Sequence, residues 1–187
     1  MKLVTVLKGG LVMAAVALIT GCATQAPPYQ ASIDNVQVLQ QKLSAKVRVG
    51  AFTVKPGAVG EKTIALRAVS MAAPNGDYGV YLGDAVKSEL SLAKRLDQAS
   101  PLELSGTLLG NDIDTAMGTA SGYAEAQFVI AKDGQVRFSK VKRGQQSWES
   151  SFAGPVAIPK AQQQYPLIIQ QLLSSLYSDP DFVNALK

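Results

Sequence analysis

The sequence contains no histidine, and it has a single cysteine, Cys22, among its 187 residues. Without histidine, neither a serine–histidine–aspartate triad nor a histidine-ligated metal site can form. A chain with one thiol also forms no internal disulfide bond. These absences remove the commonest catalytic and metal-binding side chains. We therefore expect a protein that is not an enzyme, with no catalytic residues, no cofactor and no metal.

The chain begins with the three-part layout of a secretory signal peptide. Lys2 and Lys8 precede an uncharged apolar run of 11 residues (9–19), and the small residues Thr20 and Gly21 follow it. A membrane-spanning helix needs about 20 apolar residues, so this run is too short to be one. We predict that residues 1–21 are a signal peptide, which is removed on export.

The lone cysteine directly follows this segment. The stretch Ile19-Thr20-Gly21-Cys22 resembles the lipobox of bacterial lipoprotein precursors, in which an aliphatic residue and two small residues precede a cysteine. The resemblance implies that Cys22 receives a diacylglycerol thioether and becomes the new N-terminus, whose amino group takes a fatty acyl chain such as palmitate. Two or three acyl chains on one residue give lasting membrane binding, whereas a single chain gives marginal binding.

The residue after the cysteine is Ala23. In lipoproteins of enterobacteria an aspartate at this position commonly signals retention in the inner membrane. The resemblance therefore implies the periplasmic face of the outer membrane, or the cell membrane if the organism has no outer membrane. The membrane, reached through acyl chains on Cys22, is the first expected partner.

The mature chain is predicted to have two parts. Residues 22–32 are expected to be the lipidated N-terminus and a short tether, because Pro27-Pro28 stiffens a stretch without apolar periodicity. Residues 33–187 have the size of a single domain. The net charge of +4 includes Lys2 and Lys8 of the signal peptide. The small remaining charge excludes nucleic acid as an expected partner.

Helical periodicity appears in several places in residues 33–187. The clearest helix carries one apolar stripe, formed by Tyr78, Leu82, Ala85, Val86, Leu90, Ala93 and Leu96. Further helices are predicted over 33–43, over 161–176 after a break at Gly154-Pro155 and Pro159, and from Asp179 to the end.

Between the helices, alternating polar and apolar residues predict strands. These are expected over 46–54, 63–69, 102–113, 122–131 and 135–141, and residues 146–152 either continue the last of these strands or form another. Lys132-Asp133-Gly134 predicts a tight hairpin turn, because an Asp-Gly pair supplies the positive φ angles that such turns need. We predict an α+β fold: a two-layer sandwich with a mainly antiparallel sheet and two principal helices packed on one face.

This order of elements resembles small bacterial envelope domains, namely the N-terminal domain of TolB and the CsgG- and LpoB-type lipoproteins. One feature is KVRVGAFTV (46–54) followed by the helix YGVYLGDAVKSELSLAKRL (78–96). The other is LSGTLLGNDID (104–114) followed by paired strands that end in QQSWESSF (145–152). LptE-like assembly lipoproteins have a related layout. Because such domains serve mainly as docking modules, the resemblance implies an adaptor or assembly factor.

Four residues are candidates for a protein interface. Trp148 is the sole tryptophan and lies among polar residues; it could face a partner or lie in the core, and the sequence favours neither. Lys140, Lys142 and Arg143 could contact lipid headgroups or an acidic partner. Alternatively, they form a solvated strand edge that prevents sheet-to-sheet pairing.

The sequence therefore predicts a non-enzymatic, membrane-anchored lipoprotein that acts as an adaptor or assembly factor in a cell-envelope complex, with other envelope proteins as partners. The alternative is a periplasmic carrier that binds a lipid or a small hydrophobic ligand between the sheet and the helices. A carrier requires a sizeable apolar cavity at that place.

Overall fold

The computed structural model describes residues 23–187, so the predicted signal peptide and the predicted lipidation site, Cys22, lie outside the described residues. In this range four helices and seven strands follow in the order β1 (Ala23–Gln25), α1 (Ile33–Lys42), β2 (Arg48–Val54), β3 (Thr63–Leu66), β4 (Val69–Ala72), α2 (Tyr78–Leu92), β5 (Leu102–Asp114), β6 (Gly118–Lys132), β7 (Gln135–Ser150), α3 (Gly154–Tyr177) and α4 (Pro180–Ala185). The predicted α+β sandwich is confirmed.

The main sheet has the strand order β2-β5-β6-β7. β5, β6 and β7 form an antiparallel meander, and β2 pairs in parallel with β5. Asp133 and Gly134 have φ angles of 51° and 81°, which confirms the predicted Asp-Gly turn between β6 and β7. Residues 135–150 form one continuous strand, β7, which confirms the alternative that 146–152 continues the strand at 135–141.

Helices α2 and α3 cover one face of this sheet. α2 lies on β2 and β5, and α3 lies on β6 and β7. Asp77 caps α2 by accepting hydrogen bonds from the backbone N–H groups of Gly79 and Val80. The predicted stripe of α2 is buried from Tyr78 to Ala93.

Helix α3 begins seven residues before the predicted start, so the predicted chain break at 154–159 was wrong. Pro155 lies in the first turn, where a backbone N–H has no partner within the helix to lose. Pro159 and Pro166 lie inside the helix. Each forfeits one backbone hydrogen bond, and burial of the apolar face of α3 offsets that loss.

Two glycines of the sheet let α3 approach its backbone closely. A Cβ atom on Gly122 would lie 2.6 Å from Cδ1 of Ile168. A Cβ atom on Gly144 would collide with the backbone of α3 itself, at Leu172 N and Ile168 O. The helix therefore rests directly on the strands, and residues such as Ile168 and Leu172 are fully buried in the contact.

A second sheet has the order β1-β4-β3. The single strand predicted over 63–69 was wrong, because the chain reverses at Arg67-Ala68 and forms the β3–β4 hairpin. Arg67 adopts a φ of 56° in this turn. Its guanidinium donates hydrogen bonds to backbone carbonyls of two distant loops, including Thr115 O and Phe152 O. These long-range bonds stabilise a turn that has no glycine, asparagine or proline to mark it in the sequence.

Candidate functional site

The N-terminal segment 23–32, which was predicted to be a tether, is packed against the domain. β1 pairs in parallel with β4, with Ala23 opposite Ser70. The backbone N–H of Ala26 continues the pairing by donating to Ala72 O at 2.8 Å, and the Ala26 side chain is buried. The folded body therefore begins at the first described residue, immediately after Cys22 in the sequence.

Side chains of α2 and α3 hold the segment at three further points. The Tyr81 hydroxyl donates to Pro27 O at 2.9 Å. From α3, the amides of Gln162 and Gln170 donate to Thr24 Oγ1 and Gln30 O. The residues that make these contacts are far apart in sequence. Local composition therefore could not reveal them, and it predicted a free linker for this proline-containing stretch.

A buried carboxylate, Glu89 on α2, lies where the segment meets the helices. One of its oxygens accepts hydrogen bonds from the Tyr29 hydroxyl at 2.6 Å and from the Ser32 N–H at 2.9 Å. The Asn35 amide donates to both carboxylate oxygens, at 3.2 and 3.3 Å, and also to Gln170 O. Burial raises the pKa of Glu89 above its ordinary value, although these hydrogen bonds act in the opposite direction.

Tyrosines surround this junction. The rings of Tyr78 and Tyr165 meet edge to face at 5.2 Å, and Tyr29 meets Tyr81 in the same way at 6.3 Å. Burial raises the pKa of all four phenols. The hydroxyl of Tyr177 is also buried and faces Glu89 without reaching hydrogen-bonding geometry. The neutral phenols and the carboxylate thus form a polar seam that joins the N-terminal segment to α2 and α3.

Two of the predicted interface residues, Lys140 and Lys142, lie together on β7. Both ammonium groups pair with Asp179, the residue that caps α4, and Lys140 also pairs with Asp181 at 2.7 Å. The lysines hold the pKa of Asp179 well below its usual range, with Lys142 as the main cause. This geometry gives the two lysines an intramolecular role in fastening α4 to the sheet.

The other two predicted interface residues lie elsewhere. Trp148 is only 9% exposed and belongs to the hydrophobic core. The guanidinium of Arg143 lies over the ring of Tyr123, 3.8 Å from its centroid, and pairs with Glu125 at 3.3 Å. β7 is an edge strand of the main sheet. Its charged side chains agree with the alternative of a protected edge, and a role in partner binding stays a prediction for these four residues.

A surface groove runs between α2 and β2, at the opposite edge of the main sheet. It has a volume of about 460 Å³ and is open to solvent. Its apolar lining is Val49, Phe52, Val80 and Leu96, and its polar lining includes Asp84, Lys87 and Gln98. The sequence analysis did not identify this groove, because it forms only where a helix crosses beside an edge strand. The feature that marks the groove most clearly is Val80, an apolar side chain of α2 that is 41% exposed.

Residues 23–187 present neither a metal-binding cluster nor a membrane-spanning helix. No group of three or more acidic or cysteine side chains in this range is arranged to hold a metal ion. No helix within it combines the length and the apolar character needed to cross a bilayer. Asp114 acts in a turn, where its side chain accepts a hydrogen bond from the Ala116 N–H at 3.0 Å.

Comparison with known proteins gives matches at the level of structure only. No protein-family model matches the sequence, and no curated protein matches it significantly. A crystal structure of a Xanthomonas campestris protein assigned to the DUF330 family superposes with a TM-score of 0.56 at 13% identity, covering 86% of this chain and 92% of that one.

Two more distant structures also match. One, from Caulobacter crescentus, is described as a "putative lipoprotein"; it has a TM-score of 0.45 and 12% identity, over 82% of this chain and 96% of that one. The other is a hypothetical protein from Chlamydia trachomatis with a TM-score of 0.40 and 8% identity, over 70% and 96%. What these comparisons show is a fold: the chain shares its α+β architecture with the Xanthomonas protein.

Proposed function

We propose that this protein is a non-enzymatic envelope lipoprotein. Acyl chains on Cys22 hold it at the periplasmic face of the outer membrane, and its domain acts as an adaptor or assembly factor for other envelope proteins. The lipobox-like stretch Ile19–Cys22 supports the anchor. The packing of Ala23 against the domain supports a position directly at the membrane.

The observation that carries the adaptor role is the groove between α2 and β2. An apolar floor with charged and amide groups at its rim is the general composition of a protein-binding site. β2 is also an edge strand, since it pairs only with β5 within the main sheet. A partner could therefore fill the groove with apolar side chains and pair its backbone with β2.

The carrier alternative receives less support from the packing. It requires room between the sheet and the helices, yet α3 touches the backbone of β7 at Gly144. Ile168, Leu172 and their neighbours on the inner face of α3 are fully buried in this contact. An apolar ligand could enter there only by separating α3 from the sheet, which would expose much of the core to water.

The adaptor role can be tested with a photocrosslinking amino acid placed at Val80 of the full-length chain in living cells. A matched control places the same group at Val136, which is also exposed but lies on the opposite edge of the sheet. We expect one reproducible envelope protein to crosslink at position 80 and not at position 136.

A second substitution examines the specificity of that crosslink. Lys87→Glu reverses a charge at the groove and should weaken the crosslink, whereas Arg137→Glu, at an exposed position of the opposite edge strand β7, should leave it intact. Equal crosslinking at positions 80 and 136, or none at position 80, would count against a partner in this groove.

A further inference from the structure

One end of the molecule brings three loops together around a single arginine. Arg67, in the β3–β4 turn, donates hydrogen bonds to Thr115 O in the β5–β6 turn at 3.0 and 3.1 Å. It also donates to Ser151 O at 2.8 Å and to Phe152 O at 3.0 Å in the connection between β7 and α3. These bonds fix the relative positions of the three loops.

Large apolar side chains extend into solvent from this same end. Phe152 is 82% exposed, the highest value among the large apolar side chains found exposed in residues 23–187. Met117, at the β5–β6 turn, is 63% exposed, and Val156, in the first turn of α3, is 57% exposed. We call these three residues the apolar end. Exposed apolar residues that cluster next to one another commonly mark a contact with a membrane or a protein.

The first described residue lies at this end of the molecule. Ala23 is opposite Ser70, three residues after Arg67, and β1 runs from there in the same direction as β4, away from the Arg67 turn. β1 therefore starts beside the Arg67 turn, and Cys22 is the residue directly before it in the sequence. Because residues 23–32 are packed on the domain, no free linker separates the cysteine from the folded body.

We propose that the apolar end inserts into the membrane interface beside the acylated cysteine and so fixes the orientation of the domain. This inference rests on the lipid anchor proposed above. The acyl chains hold the apolar end at the bilayer surface at a high effective concentration, so even a small partition free energy for each side chain is sufficient. A lipid surface is the occupant because it is the surface to which the chain just before Ala23 is attached.

The orientation has a geometric consequence for the rest of the molecule. β6 contains 15 residues and starts beside Met117. At about 3.4 Å per residue it reaches about 50 Å from that end, so the β6–β7 turn at Asp133-Gly134 lies far from the lipid. Position 136, just beyond that turn, is therefore a suitable control for membrane contact.

The test uses the purified, acylated protein in vesicles of phosphatidylethanolamine and phosphatidylglycerol. Because the sequence has no cysteine other than Cys22, a cysteine introduced into the acylated protein is its one free thiol. Met117→Cys, Phe152→Cys and the control Val136→Cys are each labelled with an environment-sensitive fluorophore. Positions 117 and 136 are 63% and 64% exposed, so the label meets the same degree of exposure in the protein itself.

We expect spin-labelled lipid to quench the label at positions 117 and 152 by about twofold or more, and to leave the label at 136 unchanged. Quenching at all three positions, or at none in a protein that floats with the vesicles, would overturn the inference while leaving the anchor in place. A blue-shifted label that spin-labelled lipid does not quench would also overturn it, because a protein would then cover the apolar end. Failure of the protein to float, with no acyl chains found by mass spectrometry, would overturn both proposals.

Discussion

At the scale of single residues, the most consequential group is the buried carboxylate of Glu89. A carboxylate removed from water is costly unless hydrogen bonds replace its hydration. Here the replacements come mainly from the N-terminal segment and the start of α1, through Tyr29, Ser32 and Asn35. Glu89 therefore ties the N-terminal segment 23–32 and the start of α1 to α2.

This environment predicts a pH dependence of stability. The pKa of Glu89 in the folded state lies above its value of 4.5 in the unfolded chain. The folded state therefore binds the proton more tightly, and the free energy of unfolding falls as pH rises from about 4.5 through the raised pKa. We expect Glu89→Gln to remove this part of the dependence, as measured at several pH values by urea unfolding of a chain of residues 22–187 that carries Cys22→Ala.

Two comparisons make that measurement specific. The pKa of Asp179 is shifted in the opposite direction, so its contribution to the free energy of unfolding is lost as pH falls below its ordinary pKa. Because Asp179 is present in both proteins, the difference between the wild-type and Glu89→Gln stability curves isolates the contribution of Glu89. Glu89→Ala removes the acceptor of the Tyr29 hydroxyl and of the Ser32 N–H, and leaves the Asn35 amide with Gln170 O alone. It should lower the free energy of unfolding by about 3 kcal/mol. A Glu89→Gln curve parallel to that of the wild type would contradict the assignment.

Residue types in the sequence predicted the chemistry of some positions but not their partners. The Asp-Gly turn needed only local information, since its φ angles follow from the two residues themselves. The buried position of Trp148, and the pairing of Lys140 and Lys142 with Asp179, depend on how β7 lies under α3 and α4. No local pattern in the sequence carries that information.

At the scale of elements, the contact between α3 and the sheet depends on a glycine. Gly144→Ala would place a methyl group into the backbone of α3 at Leu172, where no flexible side chain can move aside. We expect α3 to shift and the free energy of unfolding to fall by about 3 kcal/mol. Thermal or urea unfolding measures the loss.

Gly154→Ala is the matched control, because it lies in the same helix and its Cβ would meet only Ile158 Cδ1 at an ordinary distance of 3.9 Å. Alanine there should leave stability unchanged or raise it by up to about 1 kcal/mol, since alanine favours helix. An equal fall in the free energy of unfolding in both variants would contradict the claim that Gly144→Ala acts through the close approach of α3 to the sheet.

Elements with a strong local pattern were the ones that could be predicted. The apolar stripe predicted the start of α2 at Tyr78, although the predicted helix continued to Leu96 and α2 ends at Leu92. The β3–β4 hairpin could not be found, because the bonds that stabilise its turn come from Arg67 to loops 48 and 85 residues away. The first turns of α3 were missed because Pro155 and Pro159 are typical of chain breaks.

At the scale of the whole molecule, the N-terminal segment connects the fold to the function. The lipobox-like stretch predicts an anchor at Cys22, and β1 begins at the next residue. In the arrangement proposed above, the end that carries Phe152 would face the lipid, and the groove between α2 and β2 would be the surface offered to other envelope proteins. The sequence could predict the anchor but not this arrangement, which depends on the pairing of β1 with β4.

The central claim is that the mature chain begins at an acylated Cys22. Intact-mass and peptide mass spectrometry of the detergent-extracted protein test it most directly. We expect an N-terminal peptide that starts at Cys22 and carries a diacylglycerol group and one further acyl chain, while Cys22→Ala yields an unacylated chain. A mature protein that retains residues 1–21, or that begins at Cys22 with an unmodified thiol, would contradict the account.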